Sequence, residues 1–154
     1  MWQDYKPNSI PELLRQAWLK RTMSVSVVRE LGPMHWSANA TDFLAWEEPN
    51  FFVMLLGLRE PVGKIARVDI TFAADNVPGP RRIHLAIIPP EGDHPVDNTP
   101  KYLAIEYTEE TLSSNIEFVI ETVLQLFRCI RQHWSWEAFH RQFQERLHAH
   151  HLRT

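Results

Sequence analysis

Imidazole is the most chemically versatile side chain near neutral pH, and five of the eight histidines of this chain lie after residue 127. They are His133, His140, His148, His150 and His151. Histidine is the commonest transition-metal ligand, and convergent imidazoles can hold Zn²⁺. On a helix, His140, His148 and His151 share one side and form the candidate metal set. No cysteine or carboxylate sits at ligand spacing beside them, so no metal and no cofactor are expected.

A second candidate is the proline-rich segment 89–100, where His94 lies between Asp93 and Asp97. A carboxylate that orients an imidazole is a common acid–base device. No serine or cysteine stands in an elbow such as G-x-S-x-G to act as its nucleophile. The single cysteine, Cys129, falls inside a strongly apolar run, where free thiols are usually inert. The five glycines, at 32, 57, 63, 79 and 92, make neither a phosphate loop nor a dinucleotide fingerprint. Catalysis is therefore not the expected activity, and no residue is assigned a catalytic role.

Charge and aromatic residues point to binding. Residues 1–127 hold 11 Lys/Arg against 17 Asp/Glu, whereas residues 128–154 hold five arginines against two glutamates. The result is an acidic body with a basic, histidine-rich end. Six tryptophans in 154 residues is a high share, and tryptophan is enriched at binding hot spots. Over 136–154, Phe139, Phe143 and Leu147 recur at i, i+4 and i+8 in an otherwise polar segment. With Trp136, Arg141 and Arg146 they make the expected partner-binding face. Another protein or a second copy is the expected partner. Arginines mixed with aromatics also occur in single-strand binders, but a sequence pI of about 6.2 argues against nucleic acid.

Three functional readings follow, in order. The first is a non-catalytic interaction module: an adaptor, chaperone or immunity-type binding protein. The second is a small-ligand-binding protein or enzyme with a pocket between the sheet and the long helix. The third is nucleic-acid or metal binding by the basic C-terminal end.

These candidates need elements to position them. At 44% hydrophobic and 23% charged, the composition is that of a globular domain. A chain of 154 residues fits one domain. One cysteine, no apolar leader and no apolar run of 18 residues lead us to expect a cytoplasmic protein without a membrane span. Residues 1–8 are read as an arm, and 9–21 as a helix capped by Ser9. Residues 24–31 alternate valine and serine and are read as a strand. Residues 34–46 are ambiguous between a strand and a helical turn capped by Asn39 or Thr41. Strands follow at 51–58 (continuously apolar, so buried on both faces), 64–74, 81–88 and 101–107, separated by turn-forming stretches.

Leu112, Ile116, Val119, Ile120, Val123, Phe127 and Ile130 then mark one apolar stripe on a long helix, 112–133. Ser114 and Glu117 fit a capping box at its start. Ser135 is the candidate cap of a last helix over 136–152. Short links between strands favour antiparallel neighbours. The expected fold is α+β: an N-terminal helix, an antiparallel sheet of four to six strands, and two C-terminal helices with 112–133 packed on the sheet.

Overall fold

A computed structural model describes residues 10–32, 34–43, 49–59, 65–73, 81–88, 101–108, 110–132 and 135–153. The long amphipathic segment is the helix the periodicity predicts, and the rest of the fold packs around it. We label it α3 (Leu112–Gln132). Before it come α1 (Ile10–Thr22), α2 (Val25–Leu31) and five strands; after it comes α4 (Trp136–Arg153). The strands are β1 (Met34–Phe43), β2 (Pro49–Arg59), β3 (Ile65–Ala73), β4 (Arg81–Ile88) and β5 (Lys101–Tyr107).

The strands form an antiparallel meander in the order β1-β2-β3-β4-β5. Register places the alternating apolar residues in rows: Val68 opposite Leu56 and Ile87, Leu85 opposite Ile70 and Leu103, and Ile83 opposite Ile105. All eight are buried. A period of two therefore turns one face of the sheet into a continuous apolar floor for the helices. The opposite face of β4 and β5 carries Arg82, His84, Tyr102, Ala104 and Glu106, all exposed. β2 sits between β1 and β3, as its apolar run implies, but the side chains that would test burial on its second face lie outside the described residues. So do residues 1–9, the segments 60–64, 74–80 and 89–100, and the His133-Trp134 joint. β1 runs unbroken through Asn39 and Thr41, so neither residue starts a helical turn.

α3 is buried over most of its circumference. Ile116, Val119, Ile120, Val123 and Phe127 form the expected stripe, and Phe118, Leu124 and Leu126 are buried beside it. They are covered because α1 and α4 flank the helix. Trp18 of α1 meets Phe127 edge-on at 6.5 Å, and Phe143 of α4 lies 6.1 Å from Phe118. α1 contributes Ile10, Leu14, Ala17 and Trp18, spaced as one helix face should be.

Two local readings need correction. Residues 25–31 are helix, not strand. Val27 and Leu31, one turn apart, face the core, while Val25 and Val28 point outward. A period of two would have put Val25 and Val27 together. Gly32, at φ 75°, ends the helix in a conformation that only glycine adopts freely. Arg131 of α3 donates through Nε and Nη2 to the Leu31 carbonyl at 3.0 and 2.7 Å, satisfying a helix-end acceptor from outside.

The second correction concerns the start of α3. Its cap is Thr111, whose carbonyl accepts from the Asn115 amide at 2.9 Å. The Thr111 hydroxyl accepts from the Thr108 amide at 2.8 Å. Ser114 lies inside the first turn and donates back to the Thr111 carbonyl, and Glu117 pairs with Arg21 instead of closing a capping box. Ser135 does cap α4: its hydroxyl accepts from the Ala138 amide at 3.3 Å. No described helix is long and apolar enough to cross a membrane.

Candidate functional site: the cleft between α3 and α4

α4 crosses the first half of α3 and leaves a cleft of about 320 Å³ between them. From α3 it is lined by Ser114, Glu117, Phe118 and Glu121, and from α4 by Arg146, Ala149 and His150. The spacings explain the lining. Ser114, Glu117, Phe118 and Glu121 recur at three and four residues, as do Arg146, Ala149 and His150, so each set forms one helical face.

A buried amide anchors His150, one of the lining residues. Asn115 is 3% exposed, and both of its side-chain polar atoms are hydrogen-bonded. Its Nδ2 donates to the Glu106 carbonyl and to the Thr111 hydroxyl, both at 3.1 Å. That leaves Oδ1 to accept from His150 Nε2 at 2.6 Å, which fixes the protonated nitrogen of the ring. One side chain thus ties β5, the start of α3 and the end of α4 together. The bond to Glu106 also occupies a carbonyl of β5, the last strand of the sheet, where an open edge would invite pairing. His150 stacks on Phe118, with centroids 4.6 Å apart, and the Arg146 guanidinium lies 5.1 Å from the same ring.

The charges in the cleft are of both signs. Arg21 of α1 donates to Glu117 at 2.8 Å and also pairs with Glu121. Arg146 stands differently: its Nη1 is buried and has no hydrogen-bond partner among the described residues. Burial, and next the nearby Arg128 charge, draw its pKa below the ordinary arginine value. A guanidinium starts so far above neutrality that it stays charged. Ser114 and His150 do not assemble as nucleophile and base. The Ser114 hydroxyl donates to a backbone carbonyl, and His150 commits Nε2 to Asn115.

Comparison with family models, with curated proteins and with solved structures gives no match.

The structure scatters the residues singled out from the sequence. Phe139 and Phe143 are 1% and 2% exposed, and Leu147 packs against the same core. The stripe expected to dock a partner covers the domain's own α3 instead. Trp136 is half-buried and stacks on His140 at 5.0 Å, and Arg146 lines the cleft. Of that expected face only Arg141 is exposed.

His140 contacts the Gln144 amide at 3.1 Å, while His148 and His151 are exposed. Among the described residues no three His, Cys, Asp or Glu converge as metal ligands. Asp93, His94 and Asp97 lie outside the described residues. Cys129 is half-buried, and burial raises its pKa, partly offset by a Gln125 contact at 4.0 Å, so the reactive thiolate is disfavoured.

The cleft itself escaped the sequence reading, which placed a pocket between the sheet and the long helix. Two signals were present. Asn115 interrupts an apolar face with a polar side chain, and His150 extends the Phe139-Phe143-Leu147 stripe by one more step.

Proposed function

We propose that this chain is a non-catalytic protein-interaction module that binds through the corner between α1 and α2. The observation that carries this reading is the exposure of Met23, Val25 and Val28, at 78%, 64% and 46%. Five large apolar side chains are exposed among the described residues, and three of them fall within these six positions. Val25 and Val28 are three apart on α2 and therefore share a face. A clustered apolar surface costs solubility unless something covers it, whereas scattered exposed apolar residues need no explanation.

The surroundings suggest the chemistry of the partner. Lys20 and Arg29, both exposed, flank the cluster. An apolar surface rimmed by carboxylates would match it, burying the valines while the rim sets orientation and encounter rate.

The test is a double substitution, Val25→Asp with Val28→Asp, in the full chain. Both sites are exposed, so the melting temperature should stay within about 3 °C of the parent. Proteins captured by the immobilised parent chain should bind the variant at least about tenfold more weakly. Equal capture by both chains would sink the reading, as would a parent chain that captures nothing.

A further inference from the structure

We infer that the cleft between α3 and α4 binds a small zwitterion, of which a free α-amino acid is the simplest. Three observations lead there, none of which the α1–α2 surface explains.

The first is size. At about 320 Å³ the cleft lies at the lower end of the range that small-molecule sites occupy, roughly 300–1,000 Å³. Ala149 keeps that room open, since its α4 position faces the cleft with only a methyl group.

The second is charge balance. Arg21 serves both Glu117 and Glu121, so one guanidinium faces two carboxylates and one negative charge is left over. Across the cleft, Arg146 supplies one positive charge. A ligand carrying only a carboxylate would meet the surplus negative charge on α3, and one carrying only an ammonium would meet Arg146. A molecule with both groups satisfies both walls.

The third is the state of Arg146. Its Nη1 is buried without a hydrogen-bond partner among the described residues, while its Cζ lies over Phe118. Arg146 lines the cleft, and a carboxylate is the partner a guanidinium fits best. The ligand carboxylate therefore belongs on Arg146 and the ammonium beside Glu117 and Glu121. Asn115 and His150 hold the two helices at a fixed spacing, so the opposed charges are set before a ligand arrives.

Isothermal titration calorimetry on the full chain tests this, with the twenty free amino acids as probes and acetate and methylammonium as single-charge controls. At least one amino acid should bind with a Kd below roughly 10 mM, and at least about tenfold more tightly than either control. Arg146→Gln should weaken binding by about tenfold or more. Because Arg146 also packs on Phe118, Ala149→Leu provides an independent check. It sits at an exposed helix position, should leave the fold intact, and fills the cleft. Retained binding in A149L would overturn the inference. So would acetate binding as tightly as every amino acid, which would mean an anion site only, or no heat from any of the twenty.

Discussion

Two helices meet at Gly32 and Arg131, and opposite forces hold them. α3 carries ten buried residues along 21 positions and is covered by the sheet, α1 and α4. α2 has seven residues and one that is fully buried, Leu31. α3 is helical because its own pattern demands it: every turn presents apolar side chains to a surface that needs them. α2 is too short to be stable alone, since seven residues scarcely repay helix nucleation. It persists because its neighbours hold its C-terminal end. Gly32 turns the chain, Arg131 takes its last carbonyl, and Glu30 accepts from Arg128 at 2.7 Å. One helix is specified from within and the other from outside. Val25 and Val28 of the exposed cluster belong to the second, which local opening can most easily reshape.

The largest effect should come from breaking α3 at its centre. Phe127 is fully buried and meets Trp18 edge-on, joining α1 to α3. Phe127→Ala should cost about 3–5 kcal/mol, the transfer loss plus the cavity left behind. Calorimetry should show one cooperative transition at a lower temperature, because every element shares that core. Separate transitions for the helices and the sheet would show that α3 does not unite the fold.

The same contrast explains what could be read from the sequence. α3, β3, β4 and β5 follow periods of 3.6 and 2 that the apolar residues mark directly, and the structure keeps them within a residue or so. α2 was misread because valine and serine alternate there as they would in a strand, while its helical cause, Arg131, lies 100 residues away. The partner stripe on α4 was misread for a related reason. A thin apolar stripe on a polar helix shows that the helix covers something, not whether that surface belongs to the same chain. Phe118 makes the difference: it falls off the α3 stripe, yet it receives Phe143 and His150. The cleft was illegible because its opposed walls come from residues about 30 positions apart, and nothing local announces that Glu117 and Arg146 face the same space.

Arg131→Gln sharpens the comparison at an intermediate scale. The variant loses the pair of donors on the Leu31 carbonyl, an effect of about 1.5 kcal/mol for hydrogen bonds from a charged group. The loss should be local. Amide hydrogens of Val28 and Gly32, which bond to the Ser24 and Val28 carbonyls at 3.1 and 2.8 Å, should exchange about tenfold faster. Amides in the middle of α3 should keep the parent rate. If exchange in α3 rises equally, α2 is not a separately held element, and the contrast between the two helices fails.

The smallest effect should appear at the start of α2, and the start of α3 provides its contrast. Ser24 is the cap residue of α2 by backbone conformation, with φ −68° and ψ 129°, yet its hydroxyl makes no capping bond. It contacts the Ser26 hydroxyl at 2.8 Å instead. Ser24→Ala should therefore cost less than about 0.5 kcal/mol, below the roughly 1 kcal/mol usual for losing a cap serine. Thr111 is the opposite case. Its hydroxyl takes the Thr108 amide and the buried Asn115 side-chain amide, so Thr111→Ala leaves a buried donor unpaired. That loss should be about 1–2 kcal/mol. Urea denaturation of the two variants side by side resolves a difference of this size. A larger loss for S24A than for T111A would mean that α2 is started by its own cap. Its dependence on Gly32 and Arg131 would then be no greater than that of α3 on its neighbours.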